Sequence, residues 1–98
     1  MKALTIREIK NQLKLLSNWK YQKGFLHRDF EFSSFRKTIN FLNEVANIAE
    51  VKDHHPMLIN NFNILEIKLS THDVNGISQK DFDLALDIDK LHLKRSNQ

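Results

Sequence analysis

Apolar residues recur every three or four positions in three stretches of the chain, and this spacing predicts three amphipathic helices. Two of the helices begin with a capping-box pattern, in which a hydroxyl residue is followed three positions later by an acid: Thr5 with Glu8, and Ser78 with Asp81. The predicted helices run from about residue 6 to 16, from Ser33 or Ser34 to about Glu50, and from Ser78 to about Leu93. Each has one apolar face, so each needs a shared core to pack against.

Between the helices, apolar and polar residues alternate, and this period of two predicts four strands. The first two form a hairpin around a turn at Lys23-Gly24, with apolar positions at Trp19, Tyr21, Leu26, Phe30 and Phe32 and polar ones at His27, Asp29 and Glu31. Arg28 falls on the apolar face by parity, so we expect it to reach the sheet edge or to meet a carboxylate. The other two strands are expected at about Met57 to Asn60 and Leu65 to Thr71, joined by a turn at Asn61 to Asn63.

The predicted element order is therefore α-β-β-α-β-β-α. Short connections favour antiparallel neighbours, which predicts an α+β fold with a four-stranded antiparallel sheet and three helices packed on one of its faces. The 98 residues are enough for one domain, which we expect to span positions 1–98. So small a sheet leaves open edge strands, and pairing across such an edge is one route to a dimer.

Composition and charge exclude several classes of function. The chain has no cysteine, so it uses neither disulfides nor a thiolate metal site, and we expect a cytoplasmic protein. Its first residues lack the apolar segment of a signal peptide, and no apolar run approaches membrane-spanning length, so we expect neither export nor membrane insertion. The formal net charge of +3 is spread along the chain. Only Lys90 to Arg95 is locally basic, which indicates a solvated helix end, and we predict no nucleic-acid binding.

Candidate chemistry concentrates at one junction. His54 and His55 precede Pro56, which ends the second helix and begins a strand, and His72 lies at the end of the strand that follows. Glu50 lies one helical turn before the pair. Imidazole is the side chain whose unperturbed pKa lies near neutrality, so this cluster indicates either proton transfer or metal binding.

The alternatives to proton transfer are weaker. Glu50 and His54 have the i, i+4 spacing of metal ligands, but no recognised ligand motif is present and adjacent His54 and His55 point opposite ways on an extended segment. We therefore predict no metal and no other cofactor. No serine or threonine lies in a glycine-flanked elbow, which argues against a nucleophilic triad. Taken singly, the histidine pair also fits a surface turn, and a capping box alone explains Asp81.

Taken together, these residues form a longer pattern. It comprises Glu50-x-x-Asp53-His54-His55-Pro56, Asn60, Phe62-Asn63, Leu69-Ser70-Thr71-His72-Asp73, Gly76 and Asp81, and upstream Trp19, Leu26-x-Arg28-x-Phe30-x-Phe32, Phe35, Phe41 and Val45-Ala46. This pattern strongly resembles the pterin-4a-carbinolamine dehydratase family over nearly the whole chain. The chain departs from it where Leu58 replaces the usual tryptophan, Phe62 a usual tyrosine and Asn75 the first residue of a common Gly-Gly. Leu58 and Phe62 are expected to affect pocket walls or packing while leaving the proton-carrying residues intact.

The resemblance implies a dehydratase that removes water from a 4a-hydroxytetrahydropterin and gives a quinonoid dihydropterin, in tetrahydrobiopterin recycling. It assigns acid and base roles to His54 and His72, pterin contact to His55, and orienting or hydrogen-bonding roles to Glu50, Asp53, Thr71 and Asp81. It also implies a homodimer or homotetramer. Two alternatives stay open: a non-catalytic interaction protein, because some animal members are dimerisation cofactors of a homeodomain transcription factor, and an enzyme for another pterin, such as a molybdopterin-related compound.

Overall fold

Three helices and one four-stranded sheet follow the predicted order α-β-β-α-β-β-α in the structure, a computed structural model that describes residues 1–96. The elements are α1 (Ile6–Leu13), β1 (Lys20–Gln22), β2 (Phe25–Glu31), α2 (Phe35–Lys52), β3 (Met57–Asn61), β4 (Ile64–Leu69), a 3₁₀ turn (His72–Val74) and α3 (Gln79–Ser96). The predicted α+β fold is thereby confirmed. The predicted domain also includes residues 97 and 98, which lie outside the described residues.

All neighbouring strands of the sheet are antiparallel, in the order β1-β2-β4-β3. The two central strands pair Leu26 with Leu69 and Phe30 with Leu65. Along β4, alternate side chains are fully buried, which is the expected result for a sheet with one face against the core. The order leaves β1 and β3 as the edges of the sheet.

One hydrophobic core joins the buried face of the sheet to all three helices. The helices contribute Ile9 from α1, Phe41 and Val45 from α2, and Phe82, Leu84, Ala85 and Ile88 from α3. From the sheet, Leu26 and Phe30 of β2 meet Leu65, Ile67 and Leu69 of β4 in the same cluster. The helices therefore cover one face of the sheet, as predicted.

Helix ends differ from the sequence prediction at α1. This helix ends at Leu13 rather than near residue 16, and the chain continues in a turn where the Leu16 amide donates to the Leu13 carbonyl at 3.1 Å. Leu16 is still buried, so the apolar spacing that looked helical is satisfied by a turn. The other two helices extend slightly beyond their predicted ends, to Lys52 and Ser96. Over residues 1–96, none of the helices has the length and apolarity needed to span a membrane.

Arg28 meets a carboxylate, as its parity predicted. Its Nη1 lies 2.5 Å from Oδ1 of Asp89 on α3, and Nε1 of Trp19 donates to the same oxygen at 2.8 Å. The guanidinium carbon also lies 4.1 Å from the centre of the Phe30 ring. Both charged side chains are largely buried, so this pair fixes α3 across β2 and the segment before β1.

Candidate active site

The histidine pair follows directly from the way α2 ends. Asp53 caps the helix in the left-handed region (φ 51°, ψ 43°), and its amide donates to the carbonyls of Ala49 and Glu50. Aspartate is among the few non-glycine residues that adopt this conformation readily. The His54 amide then donates to the Ala49 carbonyl at 3.1 Å, and Pro56 leads into β3. The chain therefore turns sharply and presents both imidazoles at the end of the helix.

A second turn builds the opposite side of the site after β4. Thr71 pairs with Gly76, whose carbonyl accepts from the Thr71 amide at 2.7 Å, and the 3₁₀ turn carrying His72 lies between them. Asn75 takes the left-handed conformation in this turn (φ 51°). Asparagine tolerates that region better than other side chains, so the departure from the family's Gly-Gly preserves the turn.

These two turns enclose an open cavity of about 290 Å³. It is lined by Asp53, His54, His55, Ser70, Thr71, His72, Asp73 and Lys80. The structure thus brings together five of the predicted site residues as lining: the three histidines, Asp53 and Thr71. The other two are outside the lining: Asp81 is buried behind it and Glu50 is exposed on the surface, and each contacts one of its histidines.

His54 is held by a buried carboxylate. Its Nε2 lies 2.6 Å from Oδ1 of Asp81, which is fully buried, and the imidazole is itself only 12% exposed. This distance is slightly shorter than the roughly 2.7–2.9 Å that is typical of a charge-assisted N–H···O hydrogen bond. A buried carboxylate requires several donors, and the ring of His54 supplies one of them.

The second oxygen of Asp81 is fixed by two further donors. Oδ2 accepts from Oγ1 of Thr71 at 2.8 Å and from the Ser78 amide at 3.0 Å. Thr71 has one hydroxyl proton, so the 2.6 Å contact between Thr71 Oγ1 and Ser78 Oγ has Ser78 as the donor. The Lys80 amide in turn donates to Ser78 Oγ at 3.3 Å. The capping interpretation of Asp81 is therefore correct for one oxygen, while the other orients His54.

His55 forms the second histidine–carboxylate pair, on the surface. Its Nε2 lies 2.7 Å from Oε1 of Glu50, and the two side chains are 59% and 75% exposed. The i, i+4 spacing had placed Glu50 next to His54 on the helix. That contact does not form, because the left-handed Asp53 ends α2 before His54 and rotates the chain.

Four residues of the site were not assigned to it from the sequence: Ser70 and Asp73, which line the cavity beside Thr71 and His72, and Lys80 and Ser78. Lys80, in the first turn of α3, brings a cationic side chain to the cavity, and Ser78 belongs to the hydrogen-bond chain behind it. The sequence could have indicated Lys80 and Ser78, because both lie close to Asp81 in the capping pattern. Leu58, by contrast, is half-buried against the core and does not line the cavity, so its replacement of tryptophan concerns packing. Phe62 is 66% exposed in the β3–β4 turn.

The arrangement can transfer protons at two places. One imidazole is immobilised by Asp81, and another, that of His72, is exposed at the same cavity. Among the described residues, the histidines and carboxylates of this cavity do not bring three ligand atoms within 4.8 Å of one another. Two imidazoles at one cavity can serve a bound ligand as general acid and general base.

The fold and the cavity define a small α+β protein with a histidine-lined site. The family profile described as "Pterin 4 alpha carbinolamine dehydratase" matches residues 2–91. A protein of Christiangramia forsetii provisionally named as this dehydratase is 41% identical over 91 residues, which cover 93% of this chain and 94% of that protein. A similarly named protein of Metallosphaera sedula is 40% identical over 91 residues, covering 93% and 95%.

A solved structure agrees with these matches. The crystal structure of a transcriptional coactivator/pterin dehydratase from Brucella melitensis superposes with a TM-score of 0.87 at 30% identity, covering 91% of this chain and 97% of that chain. This chain therefore belongs to the pterin-4a-carbinolamine dehydratase family, whose members are named as hydro-lyase enzymes.

Proposed function

We propose that this protein is a 4a-hydroxytetrahydropterin dehydratase that acts in tetrahydrobiopterin recycling. The observation that carries the proposal is the pair His54–Asp81, buried at one wall of a cavity that His55 and His72 also line. Membership of the dehydratase family supports the choice of a pterin as substrate.

The reaction requires one acid and one base. As the C4a–O bond breaks, the acid gives a proton to the departing hydroxyl, which leaves as water. The base takes the proton of N5, and the electrons of that N–H bond form the C4a=N5 bond of the quinonoid product. One proton is given and one is taken, so no metal and no covalent intermediate are needed. General acid–base catalysis of this kind contributes about 10²–10⁴-fold, or about 3–5.5 kcal/mol.

His54 and His72 are the residues we assign to these two proton transfers. The hydrogen bond to Asp81 fixes the ring orientation of His54, so the imidazole needs little reorganisation when the substrate binds. His72 is exposed in a short turn and can approach the substrate from another side of the cavity. Both line the same cavity, which supports assigning them to one bound ring system.

The remaining site residues contact the substrate or hold a residue that does. His55, steadied by Glu50, contacts the pterin, whereas Asp53 and Thr71 offer oxygens for hydrogen bonds to its polar edge. We further propose a cytoplasmic homodimer or homotetramer without nucleic-acid or membrane contacts of its own, since β1 and β3 leave edges that a second copy can pair with.

A second candidate function is that of an interaction protein. The name of the Brucella protein joins transcriptional coactivation to pterin dehydration. The buried Asp81 network favours catalysis for this chain, because a pure scaffold has no use for an imidazole held by a desolvated carboxylate. An enzyme for another pterin would use the same residues.

The experiment that separates these functions is a dehydration assay. A 4a-carbinolamine tetrahydropterin is generated in situ, and quinonoid dihydropterin formation is followed with and without the protein and with and without a chelator. We expect acceleration that the chelator does not change. A fully folded protein without acceleration would refute the dehydratase proposal, and turnover of a different 4a-hydroxypterin only would redirect it to that substrate. Light scattering measures the oligomeric state.

A further inference from the structure

The outer face of the sheet carries a second cluster of histidine and carboxylates, apart from the cavity. His27 and Asp29 alternate along β2, so their side chains point to the same face, and Glu66 on β4 is the direct cross-strand partner of Asp29. None of the three lines the candidate active-site cavity. Their grouping depends on the β2–β4 register, which places residues far apart in sequence side by side.

The cluster brings two negative charges together. Asp29 and Glu66 are like charges directly opposite each other in an antiparallel pair, which destabilises a sheet unless something neutralises them. Lys68 is one neighbour of opposite sign, with its Nζ 3.3 Å from Oε1 of Glu66. Lys20 lies across from His27 on β1. Oδ1 of Asp29 faces the imidazole of His27 instead.

The distances within the cluster are longer than those of charge-assisted hydrogen bonds. Nε2 of His27 lies 3.2 Å from Oδ1 of Asp29 and 3.4 Å from Oε1 of Glu66. A charge-assisted N–H···O bond is about 2.7–2.9 Å long. Nε2 is buried, and within residues 1–96 neither oxygen is oriented to accept a hydrogen bond from it. The nitrogen is therefore surrounded by carboxylates without being bonded to them.

The same distances match the edges of a metal tetrahedron. Zinc binds imidazole nitrogen and carboxylate oxygen at about 2.0–2.2 Å, which separates neighbouring ligand atoms by about 3.3–3.6 Å. A metal ion bound to Nε2 lies in line with the lone pair of this nitrogen. The other ligands of the ion then lie to the side of that line, and this is where Asp29 and Glu66 lie. All three ligand atoms are within 4.8 Å of one another, so small side-chain rotations close the site.

We propose that His27, Asp29 and Glu66 bind a divalent transition metal of the zinc class, with water as the fourth ligand. An imidazole with two carboxylates suits zinc, whereas magnesium and calcium prefer an all-oxygen set. The ion neutralises the Asp29–Glu66 pair and ties β2 to β4. The site is independent of the dehydratase proposal, and it differs from the metal-free expectation drawn from the junction histidines.

Lys68 is the competitor of the ion for Glu66. Its ammonium contacts the same oxygen that the metal takes, and in that position it lies 5.8 Å from the centre of the Phe25 ring. Metal binding therefore shifts Lys68 away from Oε1. Removing this positive charge in Lys68→Met should tighten zinc binding.

The test is calorimetric titration of the chelator-treated full chain with zinc chloride. We expect one ion per chain, and Glu66→Gln and His27→Gln should each weaken binding by about tenfold or more, since even indirect neighbours of a metal contribute 10–100-fold. Glu31→Gln is the matched control: it removes the same charge from the same face of β2 outside the cluster and should bind as the wild type does. Circular dichroism checks that each variant folds.

Nitrogen NMR of the histidine rings locates the ion directly. Zinc should move the Nε2 resonance of His27 and leave those of His54 and His72 in place. The proposal is overturned if the wild type takes up no zinc, if both Glu66→Gln and His27→Gln bind it like the wild type, or if only the resonances of the cavity histidines move. Cobalt gives a further readout, because tetrahedral coordination produces intense visible absorption that Glu66→Gln should lose.

Discussion

Nε2 of His54 and Oδ1 of Asp81 lie 2.6 Å apart, although 27 positions separate the two residues in the chain. The contact joins the end of α2 to the first turn of α3, and Asp81 has no solvent exposure. With its other oxygen bonded to Thr71 and Ser78, the carboxylate cannot rotate away. The same side chain thus caps a helix and sets the orientation of a candidate catalytic ring.

Asp81→Asn should therefore reduce turnover with little change of shape. The amide oxygen can still accept from Thr71 and Ser78, but its NH₂ group then faces Nε2 of His54 and imposes the opposite ring tautomer. We expect kcat for carbinolamine dehydration to fall by about 10²-fold or more, as expected when a general acid or base is lost. Steady-state kinetics measure it, and an unchanged kcat with a normal fold would contradict the orienting role.

His54→Ala and His72→Ala should each lower turnover by about tenfold or more, because each removes one of the two proton carriers. Both side chains line the cavity and neither belongs to the hydrophobic core, so neither change should prevent folding. Circular dichroism verifies the fold, and the dehydration rate is compared with that of His92→Phe, which alters a histidine outside the cavity lining. Wild-type rates in both alanine variants would refute these roles.

Glu50→Gln should separate binding from chemistry. The Glu50–His55 pair is largely exposed, so its loss should change the free energy of unfolding by less than about 0.5 kcal/mol. If His55 holds the pterin, KM should rise by about two- to fivefold while kcat stays the same. A fall in kcat at constant KM would instead place this pair in the chemical step.

Asp89→Ala should destabilise the fold much more than other acid-to-alanine changes on α3. It leaves Arg28 and Trp19 without their shared acceptor in a largely buried position, which costs about 2–4 kcal/mol. Asp87→Ala is the matched control, since its ion pair with Lys52 is more exposed and contributes little to stability. Urea unfolding measures the free energy of unfolding of both variants. Equal losses of stability would contradict the prediction that the buried pair contributes more than the exposed one.

His92 should make the fold less stable in acid. Burial, assisted by the positive charge of Arg28 and opposed by Asp89, lowers the pKa of His92 from its ordinary value of 6.5. The unfolded chain then binds a proton at a higher pH than the folded one. The free energy of unfolding therefore falls as the pH drops below about 6.5.

Removing the imidazole of His92 should make the free energy of unfolding depend less on pH. The His92 ring packs edge-to-face against Phe30, Phe32 and Phe41, so His92→Phe keeps an aromatic ring at the site. We expect a smaller loss of stability between about pH 7 and about pH 5 in the variant than in the wild type. Urea unfolding at both pH values measures the difference, and identical pH dependence would mean that His92 does not control it.

Several features of the fold could be predicted from the sequence because their causes are local. Apolar spacing marked the helices and strands, Pro56 marked the junction, and parity put Arg28 on the buried side. The extent of α1 was wrong, since the apolar spacing that marked it includes Leu16, which is buried in a turn. A hydrophobic period records which side chains are buried and leaves open whether a helix or a turn buries them.

The sequence by itself determined the element order, the place of the histidines and the family pattern around them. Only the tertiary structure decided which carboxylate meets which imidazole. Glu50 pairs with His55 because a left-handed Asp53 ends the helix, and Asp81 reaches His54 because α3 packs beside the end of α2. The grouping of His27, Asp29 and Glu66 likewise depends on strand register. Periodicity reflects local backbone geometry, whereas these contacts depend on long-range packing, which no short stretch of sequence encodes.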